Sequence, residues 1–147
     1  MTPQILIVNG PNLNLLGERD PAHYGTVTLA EIEKRLTELA AELGVQPTFV
    51  QENSEGAIVG HIQRVRHSHQ GIILNPGPLS HYSYAIRDTI AVIKVPVIEV
   101  HISNVVARGG YHEKLITGAG ASSVICGCGP YGYELALHAL RTRIDAA

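Results

Sequence analysis

Ile5-Leu6-Ile7-Val8-Asn9-Gly10-Pro11-Asn12 is a run of apolar residues that stops abruptly in turn chemistry. Consecutive apolar side chains leave no polar face. The run therefore reads as a strand buried on both sides, and Asn-Gly-Pro-Asn as the loop leaving its carboxyl end. That loop reaches to Thr28, where Thr28-Leu-Ala-Glu31 has the spacing of a capping box. Leu29, Ile32, Leu36, Leu39 and Leu43 then fall on one helical face before Gly44 ends the helix. Phe49 and Val50 mark a second strand, Ser54 is placed to cap a helix carrying Ile58, Val59, Ile62 and Val65, and Gly71 to Asn75 supplies a third strand. A helix with Ala85, Ile86, Ile90 and Ile93 leads to Pro96 and a fourth strand, Val97 to Ile102. Ser123 to Gly127 reads as a fifth strand, and Tyr131 to Ile144 as the last helix. Five strands alternating with helices predict an α/β fold: a five-stranded parallel sheet in a flavodoxin-like three-layer sandwich, joined by right-handed crossovers.

The 147 residues fit one domain, 1–147, large enough to bury a core without metal or disulfide. Cys126 and Cys128 are too close in sequence for an ordinary bridge, and nothing resembles a secreted scaffold, so a reducing cytoplasm is expected. No apolar run approaches the ~20 residues that span a bilayer, and no basic, apolar leader opens the chain. With a net charge of -2 and dispersed lysines and arginines, neither nucleic acid nor an anionic membrane is an expected partner. A small molecule is.

The strands run out into Asn9, Asn75 and Glu99-His101-Ser103, at the carboxyl ends where open α/β sheets bind ligands. Glu99 and His101 are two apart in a strand and so share a face, where a carboxylate could fix the imidazole tautomer for general acid/base work. A satisfied polar residue beside a loop histidine would give the same spacing. The loop Gly17 to Gly25 is longer than an ordinary βα connection and has the character of a lid. An Arg19 close to Tyr24 would favour phenolate and make a usable base, although a packing tyrosine would look no different. Asn75-Pro-Gly-Pro-Leu-Ser-His81 could present an amide and an imidazole or be a plain turn. Eight histidines raise the question of a metal, yet no His-Glu-x-x-His pattern exists, and His67 and His69 read as a solvated turn. Cys126-Gly-Cys128 reads as core filler at the end of a buried strand. Gly127, Gly129 and Gly132 match no nucleotide-binding loop.

Taken together, these residues resemble the type II 3-dehydroquinate dehydratase family. Asn9-Gly-Pro-Asn-Leu-Asn-Leu-Leu-Gly17, Arg19-Asp-Pro21 and Tyr24-Gly25 carry the resemblance at the N-terminus. Asn75-Pro-Gly77 with His81, Ala85-Ile-Arg-Asp88, Glu99-Val-His-Ile-Ser-Asn104, Ala107-Arg108 and Gly132-Tyr-x-Leu-Ala136 continue it across almost the whole chain. The resemblance implies a cofactor-free enzyme of the shikimate or quinate pathway, acting on a cyclic keto acid without a Schiff base. The substrate would lose a proton next to its ketone and a hydroxyl from the neighbouring carbon, in anti geometry through an enolate. Tyr24 would be the base, Arg19 and Arg108 would keep it phenolate, and Asn12 would hold a water against the enolate oxygen. His101, oriented by Glu99, would protonate the departing hydroxyl. Asn75, His81, Ile102 and Ser103 would grip the substrate, and Asp88 would reach in from a neighbouring subunit of a trimer packed into a dodecamer.

One segment departs from that pattern. Where the family has a His-Ala-Arg-Glu-Glu-Phe-Arg-like run, this chain reads Val106-Ala-Arg-Gly-Gly-Tyr-His112, and Pro78-Leu79 is also unusual. His112 lacks the permanent charge and forked donors of the arginine that contacts ring hydroxyls. A related substrate such as 5-amino-3-dehydroquinate, or a binding homologue without turnover, is the alternative this change raises. A phosphate-sensing receiver on the same fold would need acidic residues where Asn9 and Asn75 stand.

Overall fold

In the computed structural model, which describes residues 1–147, the apolar runs become five strands: β1 (Gln4–Asn9), β2 (Gln46–Gln51), β3 (Gly71–Asn75), β4 (Val97–His101) and β5 (Ser123–Cys126). All pairs are parallel, and the order is β2-β1-β3-β4-β5, the flavodoxin-like arrangement. The helices are α1 (Pro21–Tyr24), α2 (Leu29–Leu43), α3 (Glu55–Arg64), α4 (Tyr84–Val92), α5 (Val105–Arg108) and α6 (Tyr131–Asp145). Strand alternation divides the core. Ile5, Ile7, Ile73, Ile98 and Val100 pack with α2 and α6 on one face, while Leu6, Val8, Ile72, Leu74 and Val97 pack with α3 and α4 on the other.

The local signals act as expected. Thr28 and Glu31 form the reciprocal capping box at 3.1 and 3.2 Å, and Gly44, at φ 67°, closes α2 in the left-handed conformation. Ser54 caps α3 through Ala57 N–H at 3.2 Å. Two expectations are corrected. Cys126 ends an edge strand rather than a buried one and is half-buried, and Cys128 is exposed, so neither fills the core. His69 is not on a fully solvated turn: it is half-buried, its Nε2 has no partner, and burial pushes its imidazole below the ordinary range. β2 also extends beyond Phe49 and Val50. As an edge strand it accommodates Pro47, whose missing N–H would disrupt a central position. No helix is long and apolar enough to cross a membrane.

Candidate active site

β1 is followed by a helix on one face of the sheet and β3 by a helix on the other, so a crevice opens between their carboxyl ends. Asn9 and Asn75 face each other there in register. Both are buried, and both are held by Tyr133 of α6: its hydroxyl donates to Asn9 Oδ1 at 2.6 Å and accepts from Asn75 Nδ2 at 2.8 Å. Gly77 N–H donates to Asn75 Oδ1 at 3.2 Å, so the amide's orientation is fixed and its second N–H remains for the cavity. Burial pushes the Tyr133 phenol far up, keeping it neutral. Gly10 crosses so close to the next loop that a Cβ would stand 2.5 Å from Pro76 O. Beyond it, Asn12 takes a left-handed φ of 70°, rare outside glycine but tolerated by asparagine.

Asp20 caps the single turn of α1, accepting from Ala22 N–H at 3.0 Å and pairing with His23 Nδ1 at 2.7 Å. Those two contacts hold the Asp20 carboxyl below its ordinary range. The turn delivers Tyr24. Arg19 lies over the Tyr24 ring, 3.7 Å from guanidinium carbon to centroid, and Arg108 Nη1 donates to the Tyr24 oxygen at 2.9 Å. The same Arg108 nitrogen reaches Ser103 Oγ at 3.4 Å. Two permanent cations thus bracket one phenol.

Glu99 and His101 project from β4 toward the α3/α4 layer, and His101 Nε2 meets Glu99 Oε2 at 2.8 Å. Because Nε2 is occupied, Nδ1 is the nitrogen left to face the cavity. Glu99 is fully buried and further bonded by Ser80 Oγ, at 2.8 Å, and by Thr117 Oγ1. His81 Nδ1 lies 2.8 Å from Lys114 O, and its ring stands 6.4 Å from that of His101 and 5.2 Å from that of His112. His112 stacks on Tyr111 at 4.0 Å. Partial desolvation, then the charge of Arg108 and the neighbouring His81, pushes the His112 imidazole below its ordinary range.

Of these groups, Tyr24, Arg19, Arg108, Asn75, His101, His81 and His112 line one cavity of about 220 Å³. No cluster of three or more histidine, cysteine or carboxylate side chains is gathered to hold a metal ion. Residues 3–141 match the family described as Dehydroquinase class II. The chain belongs to that family. It is 47% identical over 136 residues to the 3-dehydroquinate dehydratase of Pelotomaculum thermopropionicum, covering 92% of this chain and 94% of that one. The enzyme of the same name from Anoxybacillus flavithermus is 48% identical over 142 residues, covering 97% and 96%. The crystal structure of the type II dehydroquinase from Propionibacterium acnes superposes with a TM-score of 0.92 at 41% identity, over 97% of this chain and 98% of that one.

Within this member of the class II dehydroquinase family, the cavity brings together Asn12, Arg19, Tyr24, Asn75, His81, His101, Ile102, Ser103, Arg108 and His112. Glu99 stands behind His101 rather than in the cavity wall. Asp88 is not gathered with them: it is exposed on α4. Sequence reasoning missed Tyr111 in the wall, and Ser80, Thr117 and Tyr133 behind it, whereas Asn9 was placed at this sheet edge from the sequence. Tyr133 lies within the Gly132-Tyr-x-Leu-Ala136 motif, which was a usable signal; Ser80 and Thr117 had none.

Proposed function

We propose that this chain dehydrates 3-dehydroquinate to 3-dehydroshikimate as a single cytoplasmic catalytic domain, in shikimate biosynthesis or quinate catabolism. The observation that carries the reading is the Tyr24 phenol, contacted by Arg108 at its oxygen and Arg19 at its face, in one cavity with a His101 backed by a buried carboxylate. Tyr24, as phenolate beside that guanidinium charge, takes the proton from the carbon beside the ketone. The electrons pass to the ketone oxygen, and the enolate is met by a water held on Asn12. Collapse of the enolate expels the hydroxyl, to which His101 Nδ1 gives its proton, so that water leaves. Asn75, His81, Ile102 and Ser103 grip the substrate's carboxylate and hydroxyls, and His112 closes the site beside Tyr111.

The relatives' name favours 3-dehydroquinate over its 5-amino analogue, and the presence of Arg19, Tyr24 and His101 in one cavity argues against a binding protein without turnover. Asp88 is exposed on α4, and on the family resemblance we place it in the cavity of a neighbouring subunit, in a trimer that packs into a dodecamer. Purified protein is given 3-dehydroquinate and the conjugated enone of the product is followed in the ultraviolet, with Tyr24→Phe alongside. Turnover that the variant loses by orders of magnitude is expected. Equal rates would remove Tyr24 as the base, and silence from the wild type would refute the substrate.

A further inference from the structure

Glu99 takes no direct part in the elimination, yet it is a fully buried carboxylate, an expensive group to keep unless donors replace its water. Its donors are present. Oε2 faces His101 Nε2 and Ser80 Oγ, each at 2.8 Å, and Oε1 takes a short bond from Thr117 Oγ1. Ser80 and Thr117 are themselves fully buried, so no solvent competes for their hydroxyls. The chain closes tightly around the pair: a Cβ on Gly118 would come 3.0 Å from Glu99 Oε2. Ile116 N–H and Thr117 N–H both donate to Ser80 O, at 2.7 and 3.3 Å, so the segment that leads from Tyr111 and His112 is pinned to the same spot.

A Glu–His pair carrying one mobile proton has two forms, carboxylate with imidazolium or carboxylic acid with imidazole. Hydroxyl donors stabilise the carboxylate selectively, and so favour the first form. Building on the acid role given to His101 above, we propose that Ser80 and Thr117 are positioning residues. Through Glu99 they keep the pair's proton on the His101 imidazole, where Nδ1 can deliver it. In the second form Nδ1 still bears a hydrogen, but on a neutral ring that is a far weaker acid. The other titratable groups facing the pair are His81, across the cavity, and Cys126, opposite His101 on β5. The Cys126 thiol is pushed up by burial and then by the negative charge of Glu99.

The test uses Ser80→Ala, Thr117→Val and Thr117→Ser in the full chain, read by turnover across pH and by nitrogen-15 NMR of labelled histidine. Loss of one charge-assisted hydrogen bond should lower kcat about tenfold to a hundredfold with KM changed less than about twofold. The His101 ring signal in Thr117→Val should move from imidazolium toward neutral imidazole at the pH where the wild type is charged. Thr117→Ser, which restores the hydroxyl, should recover both readouts. An unmoved His101 signal in both Ser80→Ala and Thr117→Val overturns the inference. A moved signal with unchanged kcat would instead remove His101 as the acid, leaving the hold of the hydroxyls on Glu99 standing. Should Thr117→Val not fold, Ser80→Ala gives the same decision.

Discussion

Tyr133→Phe removes one oxygen and keeps the ring, so it leaves no cavity and isolates two hydrogen bonds. Asn9 Oδ1 loses its donor and Asn75 Nδ2 its acceptor. Asn9 fares worse, because its Nδ2 already has no partner, and the variant leaves that buried amide with no side-chain bond at all. Each buried group stripped of its partner costs about 1–3 kcal/mol, so the pair costs about 2–6 kcal/mol. For a chain of this size, 3 kcal/mol lowers Tm by roughly 6–12 °C. Urea unfolding followed by circular dichroism at fixed protein concentration measures the loss. KM should rise with it, since the Asn75 amide is then held by the Gly77 N–H alone. The alkaline limb gives a second reading. Burial raises the folded phenol above the unfolded value of ~10, so the stability it contributes is whole below about pH 10 and is lost as pH rises through the folded value. Tyr133→Phe should lack that decline. A loss below about 1 kcal/mol with KM unchanged would refute the idea that Tyr133 supports the site.

His112→Arg should improve kcat/KM for 3-dehydroquinate by about tenfold, as a forked permanent cation replaces a neutral ring; steady-state kinetics decide it. Because His112 is held below the ordinary imidazole range, it gains charge only as pH falls, so KM for the anionic substrate should drop toward acid pH in the wild type and stay level in His112→Arg. Gly10→Ala should destabilise the fold by about 1–3 kcal/mol, since its Cβ would meet Pro76 backbone at 2.5 Å; denaturant melting reads it. On the proposed assembly, Asp88→Ala should leave the fold intact while lowering activity, with light scattering alongside the assay to separate the two effects.

The fold was legible because its signals are local. The apolar run at Ile5, the capping box at Thr28 and the Gly44 stop each act within a few residues, and each formed as read. Glu99 and His101 were legible for the same reason, since strand alternation alone puts them on one face. What escaped is nonlocal. Ser80 and Thr117 meet Glu99 from 19 and 18 residues away, and Tyr133 meets Asn9 across 124. Neither a serine in a turn nor a threonine before a glycine carries a mark of that destination. Cys126 was misread because an apolar tetrapeptide looks alike at the centre and at the edge of a sheet, where only neighbours decide burial.

The alternation of β-strand side chains gives the site two separate foundations. Asn75 is rooted through Tyr133 in the α2/α6 layer, while His101 is rooted through Glu99, Ser80 and Thr117 on the opposite side of the sheet. The central strands insulate one foundation from the other. Damage to Tyr133 and damage to Thr117 should therefore combine additively. Over generations, such a division lets recognition of the ring be retuned on one side while the acid on the other is left alone.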